Sequence, residues 1–107
     1  MNEINSVFDL KLEIENNPAV LVYFYNESCA PCISLRPKVI EMAHENFPKM
    51  TLIFINSIYM EITSVFGIYE NPTLLVFFEN KEYIRASKYI SISQLQQNID
   101  RYYSLVF

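Results

Sequence analysis

At 107 residues the chain is one domain long, too short for two separate cores. A hydrophobic fraction of 51% against 19% charged excludes disorder as the main state and fits a compact soluble core. Eight Lys and Arg against twelve Asp and Glu leave a net charge of −4, which argues against nucleic-acid binding, because that affinity rests on basic side chains neutralising phosphates.

The start, Met1-Asn2-Glu3-Ile4-Asn5, has neither a basic end nor an apolar run. No signal peptide is expected there, and the chain reads as cytoplasmic. From Ser6 to about Glu15, Val7, Leu10 and Ile14 recur at helical spacing, with Ser6 as cap and Asn16-Asn17-Pro18 as stop. Residues 19–25 form a continuous apolar run, read as a strand covered on both faces. It is the longest apolar stretch and falls well short of the roughly 20 residues of a membrane span, so no membrane partner is expected.

Residues 30–46 read as a helix with a polar stripe of Ser34, Lys38, Glu41 and Glu45. Ile33, Leu35, Val39, Ile40, Met42 and Ala43 fill its remainder, which predicts a largely buried helix. Met50 to Ile55 reads as a second buried strand. A short helix from Ile58 to Phe66 follows, with Ser57 as cap and Gly67 past its end. Thr73 to Phe78 is a third strand, Glu79-Asn80-Lys81-Glu82 a hairpin turn, and Tyr83 to Lys88 the returning strand. Ser93 to about Leu105 closes the chain as an amphipathic helix carrying Leu95, Ile99, Tyr102 and Tyr103, capped by Ser91 or Ser93. Alternating helices and strands predict an α/β fold: a mixed sheet of four strands between helices on both faces, with a fifth, short edge strand near Glu3-Ile4.

The two cysteines, Cys29 and Cys32, lie three apart at the start of the long helix. So short a loop constrains the unfolded chain little, and a reducing cytosol would not preserve it as a staple. Redox chemistry, half of a metal site, or two idle thiols remain. A helix N-terminus offers unpaired N–H groups and the positive end of the macrodipole, both of which favour a thiolate at Cys29. Pro31 suits the first turn, where its missing N–H costs nothing. The expected cycle has Cys29 attack a disulfide and Cys32 resolve the mixed disulfide, leaving a Cys29–Cys32 bond for an external reductant to reopen. A metal site fits less well, since zinc takes four ligands and His44, the only histidine, lies near the far end of the helix.

Cys29-Ala30-Pro31-Cys32, with Pro37 five residues on, resembles the active-site helix of the thioredoxin family. Asn71-Pro72-Thr73-Leu74-Leu75 resembles that family's cis-proline loop entering a strand, and the hairpin at Asn80 and the closing helix also match. The resemblance implies a thioredoxin-like fold over residues 1–107 and a thiol–disulfide oxidoreductase that reduces protein disulfides without cofactor or metal. A thioredoxin reductase or similar reductant would regenerate it. Cys29 would be the exposed nucleophile and Cys32 the buried resolving cysteine. Pro72 would be cis beside Cys29, and Asn71, Pro72, Ala30 and Pro31 would contact the substrate. Pro37 would kink the helix.

Several positions depart from the family pattern. Ser28 stands where a tryptophan is usual, Ala30 replaces a glycine, and Tyr23 holds the place of a buried proton-accepting aspartate. A phenol is a poor base at neutral pH. The lysine usually near that aspartate is matched to Leu52. Asn71 replaces an aliphatic residue, and Tyr89-Ile90-Ser91 replaces a glycine-bearing loop. These changes point to a divergent, substrate-restricted member, with a binding module of weak or no turnover as the alternative. Tyr23 and Tyr25 are expected to pack in the core, and Glu27 to be a solvated loop charge.

Overall fold

The computed structural model describes residues 4–107. The elements run α1 (Val7–Asn16), β1 (Ala19–Tyr25), α2 (Ala30–Asn46), β2 (Thr51–Asn56), α3 (Met60–Phe66), β3 (Thr73–Phe78), β4 (Lys81–Ser87) and α4 (Ile92–Val106). The sheet order is β2-β1-β3-β4, with β1 and β2 parallel and the other two pairings antiparallel. This is the mixed α/β architecture expected, with four strands. Of the anticipated edge strand near Glu3-Ile4, Glu3 lies outside the described residues. Ile4 is not in a strand but is buried in the core.

Side-chain alternation along β1 divides the core. Ala19, Leu21 and Tyr23 face one side, packed with Val39 and Met42 of α2 and Leu95 and Ile99 of α4. Val20, Val22 and Phe24 face the other, packed with Leu10 and Ile14 of α1 and Ile62 of α3. A strand covered on both faces has no need of polar positions, which is why its sequence is an unbroken apolar run.

The helix ends follow local chemistry. The Ser6 hydroxyl accepts from the Asp9 N–H at 3.2 Å, and Ser91 likewise accepts from Gln94 at 3.3 Å. Gly67 ends α3 in the left-handed conformation, φ 67°. Arg85, reaching across from β4, donates to the carbonyls of Phe66 and Gly67 at 2.9 and 3.0 Å while paired with Glu82. Those carbonyls would otherwise lack partners at the helix end.

Three expectations are corrected. Ser57 does not cap α3: the helix starts at Met60 after Tyr59, and the Ser57 hydroxyl donates to Asn71 Oδ1 at 2.6 Å. The hairpin turn is only Glu79-Asn80, both with positive φ (51° and 67°), and β4 already begins at Lys81. A two-residue mirror-image turn matches the twist of its strands, so pairing continues to the corner. Finally, α2 buries less than its sequence suggests. Cys32, Val39, Met42 and Ala43 are its buried residues, and Ile33 is 64% exposed because it points away from the sheet beside the cysteines.

Ile99 is fully buried, whereas Leu105 on the same helix is 81% exposed. Urea unfolding should show Ile99→Ala losing about 2–5 kcal/mol, and Leu105→Ala changing stability by no more than about 0.5 kcal/mol.

Candidate active site

The backbone leaves β1 at Tyr25 and turns before entering α2. Asn26 Oδ1 accepts from both the N–H and the hydroxyl of Ser28, at 2.9 and 2.7 Å, and the Cys29 N–H donates to the Asn26 carbonyl at 3.1 Å. That turn delivers Cys29 to the cap position of α2, in extended conformation. Its sulfur accepts from the Cys32 N–H at 3.2 Å, the role a serine or aspartate oxygen commonly fills at a helix start. Cys29 and Cys32 are joined as a disulfide with their Cα atoms 5.3 Å apart. Cys29 is half-buried and Cys32 is buried, while Ala30 and Pro31 form the exposed outer turn between them.

The second loop arrives at the same end of the sheet because Thr73, the first residue of β3, pairs with Phe24 near the end of β1. The Asn71–Pro72 peptide is cis. Pro72 is buried, and its carbonyl accepts from the Lys88 N–H at 3.1 Å. Asn71 is held by Ser57 and shares with Asn26, Met60 and Tyr69 the walls of an open cleft of about 430 Å³. Asn71 and the turn preceding Cys29 thus face one another across that cleft.

The thioredoxin family model matches residues 3–101. The chain belongs to the thioredoxin family. It is similar to a thioredoxin-like protein of Bacillus subtilis, YdfQ, at 24% identity over 106 residues, covering 98% of this chain and 94% of that one. Among solved structures, the thioredoxin of Fasciola hepatica matches with a TM-score of 0.83 at 26% identity, over 94% of this chain and 98% of that one. The oxidised thioredoxin of Plasmodium falciparum matches with a TM-score of 0.80 at 25% identity, over 95% and 97%. Family membership and the Cys29–Cys32 pair support thiol–disulfide oxidoreductase chemistry.

Behind the disulfide, this thioredoxin-family chain places a phenol and a guanidinium. Tyr23 is fully buried, and its hydroxyl donates to the Cys32 carbonyl at 2.7 Å. Burial pushes its pKa up to about 12, against a smaller downward pull from the Arg36 charge. The phenol is therefore a donor that fixes the Cys32 backbone and not a proton acceptor. The residue paired beside it on β2 is Phe54, not Leu52, which pairs with Leu21. The Tyr23 and Phe54 rings meet edge-on with centroids 5.7 Å apart.

Arg36, which its sequence context does not single out, completes the arrangement. Its guanidinium lies 4.2 Å from the Phe54 ring centroid and 5.1 Å from that of Tyr25. It also lines a cleft of about 280 Å³ with Tyr25, Asn26, Glu27, Cys32 and Ile33. The available signal is spacing: Arg36 follows Cys32 by four, so the two share a helix face. Glu27 is exposed, as a solvated loop charge should be, but it stands on the wall of this same cleft. His44 is exposed in the last turn of α2. Among the described residues no three His, Cys, Asp or Glu side chains converge as a metal site, and no helix is long and apolar enough to cross a membrane.

Tyr23→Phe removes the bond to the Cys32 carbonyl and should cost about 1 kcal/mol in chemical denaturation. It should also change the alkaline limb. The fold favours the neutral phenol, so the stability it confers is complete below the ordinary pKa of 10.0 and is lost as pH rises through about 12. Denaturation midpoints taken across that window should fall more steeply in the parent protein than in Tyr23→Phe.

Proposed function

We propose that residues 1–107 act as one thioredoxin-like unit that reduces disulfides in protein substrates through Cys29 and Cys32. The observation that carries this reading is the Cys29 sulfur at the cap of α2, accepting from the Cys32 N–H and bonded to the buried Cys32 sulfur. In the reduced protein the same N–H and the helix dipole stabilise a thiolate at Cys29. That thiolate attacks one sulfur of a substrate disulfide. A Cys29–substrate disulfide forms, and the displaced substrate sulfur leaves as a thiolate and takes up a proton. Cys32 then loses its proton and attacks the Cys29 sulfur. The Cys29–Cys32 bond forms, the second substrate sulfur leaves, and two electrons have passed from the dithiol to the substrate.

The exposed Ala30 and Pro31, with Asn71 on the wall of the neighbouring cleft, are the surface on which an extended substrate segment would lie, and the buried Pro72 would shape that wall from behind. A reductase-type protein would return the electrons, which suits a reducing cytoplasmic setting. No metal or organic cofactor enters the cycle.

Insulin reduction driven by dithiothreitol should proceed with the parent protein and cease in Cys29→Ser. Cys32→Ser should instead accumulate a mixed disulfide, visible as a mass adduct that added thiol releases. A parent protein no faster than buffer would overturn the proposal. Partners captured equally well by a protein lacking both thiols would favour a binding module.

A further inference from the structure

The cycle above leaves one proton without a destination. Cys32 must ionise before it can attack, yet Tyr23, the side chain bonded to its backbone, is a buried donor. We propose that the Arg36 guanidinium, one helical turn beyond Cys32 and stacked on Phe54 and Tyr25, supplies the positive charge that stabilises the Cys32 thiolate during resolution, while the proton leaves to water in the cleft the two residues share. The inference rests on the oxidoreductase reading and assigns to that reaction a residue that positions charge without touching the substrate.

Four observations support it. Residues four apart on a helix have Cβ atoms about 5–6 Å from each other, so the Arg36 side chain leaves α2 on the same face as Cys32. Both line the same cleft, which gives water a route to an otherwise buried cysteine. Stacking over two rings holds the guanidinium in place while leaving its charge intact. Among the described residues it belongs to no ion pair, unlike Arg85 and Lys88, which pair with Glu82 and Glu70.

The groups around the thiol are few. From β1 come Tyr23, which donates to the Cys32 carbonyl, and Tyr25, which lies under the guanidinium. From β2 comes the uncharged Phe54. The turn before α2 contributes Glu27, whose carboxylate opposes a thiolate, and Cys29, the sulfur to be attacked. Among the described residues, Arg36 is therefore the one cation on the walls of this cleft.

Stoichiometric dithiobis(nitrobenzoate) separates the two steps in reduced protein. The first release of thionitrobenzoate reports attack by Cys29, and the second reports resolution by Cys32. Arg36→Gln should slow the second release about tenfold near neutral pH and move its pH midpoint up by about one unit. The first release should stay within about twofold of the parent, which also reports an intact active-site helix. Arg36→Lys should recover most of the second rate by restoring the charge.

An unchanged second release in Arg36→Gln would overturn the inference, as would equal slowing of both releases. A Glu27→Gln variant that slowed the second release as much would make Glu27 the proton acceptor and overturn it as well. Absence of the first release in the parent protein would be a different failure, that of the oxidoreductase reading itself, and the inference would fall with it.

Discussion

The site depends on a sulfur standing where a helix cap usually has an oxygen. The Cys29 Sγ accepts the Cys32 N–H, so the first turn of α2 finishes its own hydrogen bonding with one sulfur of the disulfide. One contact thereby sets where the Cys29 sulfur sits, brings the second cysteine into bonding range and leaves that sulfur at the positive end of the helix. The rest of the fold serves to hold that turn. The buried β1 anchors its entrance, the Asn26 side chain ties the bend, and Val39, Met42 and Ala43 pin the helix to the sheet.

Behind the turn, the chain solves the support of Cys32 with aromatic rings and a cation. A buried carboxylate would demand a paired charge or hydrogen bonds to offset its desolvation. A phenol satisfies itself with one bond to a backbone carbonyl and fills the space with ring carbon. The positive charge then arrives along α2 rather than from β2, at a cleft wall where it keeps access to water. The core then holds no ionised side chain at this point, and the nearest charge stands on the solvent side of the helix.

Much of the architecture was legible in the residues. β1, α2 and β3 are found at the expected positions, because unbroken apolar runs and a long polar stripe signal two-sided burial and helical phase strongly. The apolar run before the cysteines and the helical pattern after them placed the pair at a helix start. What escaped depends on lateral neighbours. Ser57 has every local property of a cap, but Asn71, remote in sequence, takes its hydroxyl. The partner of Tyr23 on β2 is displaced by two positions from Leu52 to Phe54, since strand register is settled by packing across the sheet and not by counting along the chain. Arg36 reads as an ordinary surface charge until the two rings beneath it are known. Ile33 fits a helical apolar pattern and still faces outward, beside the disulfide.

The clamp that Arg85 makes on the Phe66 and Gly67 carbonyls has a consequence at a distance. It fastens the start of the 68–72 loop to β4, while the Lys88 N–H fastens its far end at Pro72 and Ser57 grips Asn71 in between. One wall of the cleft is thus tied at both ends and at its middle, so less of its backbone is left to order on binding than in an untethered loop.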